Sequence, residues 1–122
     1  MAISNTTGGI SAINIKDSIV KAFVSFTISA GSSTITSSKN VASITDTGTG
    51  DYTVNFSKAF SSANYCPVIS YTGNSGQMQT VELGTITASS VQILGYTCTS
   101  SSNNTKAARD HSLITLMVLG DN

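Results

Sequence analysis

Several groups of residues in this chain are of a type and spacing that could carry chemistry. Asp46-Thr47-Gly48 is the tripeptide of dimeric aspartic proteases, in which two such aspartates share one proton. Asp46 and Asp51 together offer hard oxygen ligands for calcium. Asp110-His111, in a chain where Ser and Thr make up about a third of the residues, offers two members of a Ser-His-Asp relay. Cys66 and Cys98 offer thiols, and Tyr65, Tyr71 and Tyr96 offer aromatic faces on which a sugar could stack.

The surroundings of each group favour a plainer reading. Asp46 follows polar Thr45, and its tripeptide runs into a second glycine and a second aspartate, Gly50-Asp51, which is turn chemistry: glycine supplies φ > 0 and aspartate caps free backbone amides. The alternating oxygen ligands of an EF-hand are missing around the two aspartates. No Gly-x-Ser-x-Gly elbow accompanies His111, so a loop-end histidine bonded locally is expected. Two cysteines are too few for a disulfide framework and lack metal-ligand spacing. The tyrosines are expected mostly in the core. Asn5, Asn55 and Asn103 to Asn104 fall in or near glycosylation patterns, but Asn55 sits inside a strand. No catalytic residue, cofactor or metal is therefore expected, and the reading is of a protein that is not an enzyme.

These residues are positioned by strands. Val41 to Thr45 alternates apolar and polar residues, and Tyr52, Val54 and Phe56 fall at period two, so the stretch Val41 to Phe56 reads as a hairpin around a turn containing Asp46, Gly48, Gly50 and Asp51. Further strands are expected over Ala22 to Ile28, Thr34 to Thr36, Tyr65 to Tyr71, Gln77 to Leu83, Ile86 to Ala88, Val91 to Thr97 and Leu113 to Leu119. Breaks fall at Ala30 to Ser33, Ser37 to Asn40, Gly73 to Gly76 and Gly84, with a loop over Ser57 to Asn64 and a long exposed one over Thr99 to Asp110. Short strands with frequent turns and almost no helical period imply an all-β fold, an antiparallel β-sandwich or jelly-roll-like knob over residues 21–122. Residues 1–20 read as an extended N-terminal arm and assembly segment, with Gly8-Gly9 as hinge and Ile3, Ile10, Ile13 and Ile15 as apolar anchors.

The run Ser43-Ile44-Thr45-Asp46-Thr47-Gly48-Thr49-Gly50-Asp51-Tyr52-Thr53-Val54-Asn55-Phe56, followed by Ala59 and Ala63-Asn64-Tyr65, resembles the signature of a β-rich module of bacteriophage virion proteins, best known at the C-terminal ends of tail fibres. The likeness extends to Lys21-Ala22-Phe23-Val24-Ser25-Phe26 and to Leu116 to Asp121, roughly residues 20 to 122. Phe23 stands where the family has Trp, and Leu119 where it has an aromatic residue. The resemblance implies a homotrimeric knob on a virion, made in the host bacterial cytoplasm, where Cys66 and Cys98 are expected as buried free thiols. It implies phage capsid or tail proteins as partners. In one role the knob decorates the capsid and cements neighbouring shell subunits through its arm; in the other it is a tail-fibre tip that contacts a host cell-surface glycan or protein. A complete gene product would favour decoration and a fragment the fibre; a bacterial carbohydrate-binding module is a third reading.

Composition limits the alternatives. Charged residues are 10% of the chain, against roughly a quarter in ordinary soluble domains, and the net charge is zero. With no basic run there is no footprint for phosphate neutralisation, so nucleic acid is not expected as a partner. The first residues lack the charged and apolar regions of a signal peptide, and no apolar run approaches the ~20 residues of a bilayer span, so no membrane insertion is expected.

Overall fold

The computed structural model describes residues 19–73, 78–98 and 106–120. The arm residues Ile3, Gly8, Gly9, Ile10, Ile13 and Ile15, the turn expected over 74–76 and the loop over 99–105 lie outside these described residues. Within them every regular element is a strand: β1 Ala22–Ser29, β2 Ser32–Lys39, β3 Val41–Gly48, β4 Asp51–Phe56, β5 Tyr65–Thr72, β6 Gln79–Ile86, β7 Ser90–Cys98, β8 Lys106–Ala108 and β9 Leu113–Gly120. They form two antiparallel sheets, ordered β2-β1-β9-β5 and β3-β4-β7-β6, with β8 paired to the end of β7. The fold is the antiparallel β-sandwich that the alternating pattern implies.

The core follows from period two. Ala22, Val24, Phe26 and Ile28 of β1 and Ile114, Leu116 and Val118 of β9 face inward from one sheet, and Tyr52, Val54 and Phe56 of β4 and Val91 and Ile93 of β7 face them from the other. Each of the larger aliphatic and Phe side chains contributes about 1.5–3 kcal/mol by leaving water. Phe26 and Tyr52 meet edge to face across the layers, their centroids 5.7 Å apart. At one end Phe56, Phe60 and Tyr65 form a second aromatic cluster, with centroids 4.7 to 5.8 Å apart. Hydroxyl side chains are concentrated at outward-facing positions, most densely in Ser-Ser-Thr-Ile-Thr-Ser-Ser-Lys of edge strand β2, which keeps the surface polar with few charges. The single proline, Pro67, stands in edge strand β5, where a missing N–H is tolerated.

Four boundaries differ from the sequence-based expectation. β2 is eight residues long, not three, because β1 pairs with it from Phe23 to Ser29, and the hairpin turns on Ala30-Gly31 alone, with φ of 52° and 77°. The central hairpin is tighter than expected: Asp46 and Asp51 belong to strands, and only Thr49-Gly50 connects them. Gly84 does not end β6 but sits where its register with β7 shifts, between Leu83 and Ile86, so the separate strand expected over Ile86 to Ala88 does not form: Ile86 closes β6 and residues 87–89 connect it to β7. The expected loop over Thr99 to Asp110 contains β8, whose three residues continue the β4 side of β7 past the start of β4. In each case pairing with a neighbouring strand overrides weak local preference.

The two hairpin glycines are not equivalent. Gly48 (φ 154°) has open space where a Cβ would go, whereas a Cβ on Gly50 (φ 68°) would collide with the Gly95 carbonyl and lie 2.8 and 2.9 Å from the backbone N and O of Arg109. Gly48→Ala carries only the backbone strain, about 1 to 3 kcal/mol. Gly50→Ala adds an overlap with fixed backbone of about 1 to 3 kcal/mol more. Thermal melting followed by circular dichroism is expected to rank wild type above Gly48→Ala and that above Gly50→Ala; equal melting of the two variants would show that the Gly50 contact is not tight.

Candidate functional site

The segment between β8 and β9 brings Arg109, Asp110 and His111 to the end of the sandwich where the β3–β4 hairpin turns. Oδ1 of Asp110 accepts the Gly50 amide at 2.8 Å and also a short hydrogen bond from the Tyr52 hydroxyl. Beside it the Gly95 amide donates to the Gly50 carbonyl at 2.8 Å, and the Arg109 amide donates to the Gly95 carbonyl at 2.9 Å. Gly95 is glycine for lack of room: a Cβ there would stand 2.5 Å from the Arg109 carbonyl and 2.8 Å from Nδ1 of His111. The Asp110 carboxyl thus ties the segment before β9 to the hairpin tip, and the backbone bonds of Gly95 tie β7 to both.

Burial is the largest cause that pushes the Tyr52 phenol well above its ordinary range, reinforced by the Asp110 hydrogen bond and by the charges of Asp110 and Asp46. Tyr52 is a permanent donor near neutral pH. Burial likewise lowers the pKa of His111 below its ordinary 6.5; the Arg109 charge adds to this, while the Arg109 carbonyl and Asp110 oppose it. His111 is only 1% exposed, and neither ring nitrogen has a well-aligned hydrogen bond among the described residues. Its ring packs edge-on to Tyr71 at 4.9 Å. Nε of Arg109 is also buried without a partner there.

This geometry can lock strands; it lacks a proton relay. Asp110 spends its oxygen on a backbone amide and a phenol, not on the imidazole, and the neighbouring Ser112 hydroxyl donates to the Thr72 carbonyl at 3.3 Å. His111 stands at the loop end before β9, as expected, with the Arg109 carbonyl as its local polar neighbour, and it is buried there. The expected caps are corrected. Asp46 is exposed and opposite Tyr52 in the ladder, and Asp51 accepts from Nε2 of Gln92 at 2.9 Å, so the Gly50 amide is served by Asp110 instead. Among the described residues no group of three or more His, Cys, Asp or Glu could hold a metal ion. No helix among them is long and apolar enough to cross a membrane.

The other sequence candidates are dispersed. Tyr65 is buried, its pKa raised to about 12 by burial, and its hydroxyl donates to the Thr87 carbonyl at 2.7 Å. The Tyr71 hydroxyl donates to the Gln79 carbonyl at 2.8 Å. Lys106 places its ammonium 4.1 Å from the centre of the Tyr96 ring and pairs with Glu82 at 2.9 Å. Cys66 carries a free thiol, as expected, but is exposed and not buried: it follows inward-facing Tyr65, and alternation turns it to the outer face; Cys98 is half-buried. Asn55 donates to the hydroxyls of Ser43 and Thr45 across the ladder.

One apolar surface lies on the outside of a sheet, on the strand segments Phe23 to Phe26 and Leu113 to Leu119 whose apolar faces the sequence offers for burial between subunits. Phe23, Met117 and Val68 align in register across β1, β9 and β5 on the outside of their sheet. They line an apolar groove of about 310 Å³, with Val68 45% and Met117 37% exposed. The signal was present in the strands' parity, since Phe23 and Met117 alternate with core residues, yet outward and inward apolar positions look alike in sequence.

Comparison of the chain with protein families, with curated proteins and with solved structures returns no match.

Two outcomes follow from the lock. Asp110→Ala strands the Tyr52 hydroxyl and the Gly50 amide and is expected to cost about 2–4 kcal/mol, whereas Asp46→Ala, at an exposed position, should stay within about 0.5 kcal/mol. Urea unfolding of both variants is the check, and equal losses would contradict the assignment. For His111 the folded pKa lies below the unfolded one, so stability is fully present above pH 6.5 and declines as pH falls from there through the lowered folded value. His111→Phe should flatten this decline in melts between about pH 7.5 and 4.5; a wild-type curve already flat there would show that His111 protonates freely in the fold.

Proposed function

We propose that this chain is a non-enzymatic structural knob of a bacteriophage particle, displayed on the outside of the virion as a homotrimer. The observation that carries this reading is the outward apolar row Phe23, Met117 and Val68 on a surface otherwise rich in hydroxyls. A rigid sheet face with such a row gains by being covered, and a second copy of the same chain covers it at the closing angle of a cyclic oligomer. Threefold symmetry and the virion setting rest on the resemblance of Ser43 to Phe56 and its flanks to phage knob modules. The locked carboxyl of Asp110 and the inaccessible His111 suit a particle component that must survive outside a cell. Within this reading the knob is a decoration protein, seated on the shell and attached by the arm that carries Ile3, Ile10, Ile13 and Ile15; the fibre tip is the competing placement.

Light scattering at micromolar concentration is expected to give about three times the 12.6 kDa chain mass. Val68→Glu combined with Met117→Glu should reduce it to one chain with an unchanged circular dichroism spectrum. A wild-type monomer would overturn the assembly reading. For placement, a chain lacking residues 1–9 is expected to stay folded but no longer co-sediment with particles depleted of it; an extended arm of that length reaches at most ~30 Å, enough to cross to an adjacent subunit. Binding of the full chain to isolated tails and not to shells would move the knob to the fibre.

A further inference from the structure

We propose that the end of the sandwich opposite the Asp110 lock carries a binding cleft for a carboxylate-bearing sugar. The cleft has a volume of about 430 Å³ and is lined by Lys21, Asn40, Lys58, Ala59, Phe60 and Ser61. That size lies within the range of small-ligand sites and well above what a bare phosphate fills.

Three separate stretches build it, and each is fixed. Lys21 enters β1 with its amide on the Val118 carbonyl at 2.8 Å. Asn40 turns the chain between the two sheets with φ of 55°, a conformation that asparagine tolerates, and grips the opposite wall. Its Oδ1 accepts the Lys58 amide at 2.8 Å, its Nδ2 donates to the Lys58 carbonyl at 3.1 Å, and its own carbonyl accepts the Ser57 amide at 3.2 Å. Phe60 is pinned by its amide on the Ala88 carbonyl at 2.8 Å and by its packing on Phe56 and Tyr65. Such a shape is present before a ligand arrives, so little ordering cost falls on binding.

Charge gives the cleft its preference. Lys21 and Lys58 line it, and Lys39, which precedes Asn40, has its ammonium on the carbonyl of Val20, the residue before Lys21, at 2.9 Å. Among the described residues the one ion pair is Lys106 with Glu82, so no carboxylate neutralises these three ammonium groups there. Asp46, Asp51 and Asp110 gather at the other end, and Asp17 and Asp121 lie outside the described residues. Cations with no ion pair among the described residues, around a concave, partly apolar wall, concentrate field on an anion, while Ala59 and the small exposed part of Phe60 offer apolar contact to the C–H groups of a sugar ring. Lysine acts as a point charge, adequate for one carboxylate without the fork an arginine would offer. A nucleic acid would need a longer basic track than three lysines in a chain of zero net charge.

The inference goes beyond the assembly reading, since a particle knob can hold its symmetry with this cleft empty. The test is titration of the full chain, followed by amide NMR shifts, with N-acetylneuraminic acid, glucuronic acid, the methyl ester of glucuronic acid and inorganic phosphate. The acids are expected to move the signals of Lys58 and Phe60, and the ester to bind at least about tenfold more weakly. Raising salt from about 0.05 to 0.5 M should weaken the acids several-fold, as should the double variant Lys21→Gln, Lys58→Gln. Equal binding of acid and ester, phosphate binding as tightly as the sugars, or an unchanged double variant would each overturn it. Light scattering on the same samples separates the two ideas: a trimer that binds no sugar acid removes the cleft and leaves the assembly standing.

Discussion

One oxygen, Oδ1 of Asp110, joins parts of the chain that are 60 and 58 residues apart, and the end of the sandwich is organised around it. Without that acceptor the Gly50 amide would sit in a closed space with no partner, and the Tyr52 hydroxyl would be buried unsatisfied beneath the core. The backbone relay from Gly50 to Gly95 to Arg109 depends on the same approach, because it needs two positions without side chains to let three chain segments come so close. The core aromatic contact between Phe26 and Tyr52 is held in place from below by the same carboxyl.

This arrangement redistributes what the residues can do. Asp110, His111 and Tyr52 are the chemically capable cluster at this end of the fold; the Asp110 oxygen is consumed by hydrogen bonds, and Tyr52 and His111 are enclosed by packing. What remains accessible is surface: an apolar row on the outside of one sheet and a cationic cleft at the far end. A scaffold with a sealed, rigid interior and two differently coloured outer faces suits attachment and display. The division between a rigid scaffold and a functional surface is common in β-sandwiches, where the loops and faces carry recognition.

The parts of the fold legible in the sequence are those where one face is buried and the other is not. In β1, β4, β7 and β9 the alternation of residues such as Val24, Phe26 and Ile28 with Ser25 and Thr27 leaves one register possible, and the strands stand where the pattern puts them. β2 was legible only as a fragment because Ser32 to Lys39 has almost no apolar signal; its length is set by hydrogen bonding to β1. The hairpin turn was legible from its glycines, whereas its carboxylate was not: Asp46 and Asp51 flank the turn in sequence, and the acceptor came from a distant segment. His111 shows the same limit, since a lone histidine after a polar loop gives no local sign that β9 will draw it under Tyr71. The exposure of Cys66 could have been read from parity with Tyr65; the cleft around Asn40 could not, because it forms where three separate turns meet.

The most direct test of the lock is hydrogen exchange at single amides. Gly50 sits at the tip of a two-residue hairpin turn, a place where amides normally exchange by local opening within minutes. If its amide is held by Asp110 inside a closed backbone relay, the Gly50 and Gly95 amides are expected to exchange only on global unfolding, at the rate of core amides such as that of Ile93. Exchange of Gly50 at the rate of an open hairpin tip, with β7 still protected, would contradict the account that the Asp110 carboxyl closes this end of the sandwich.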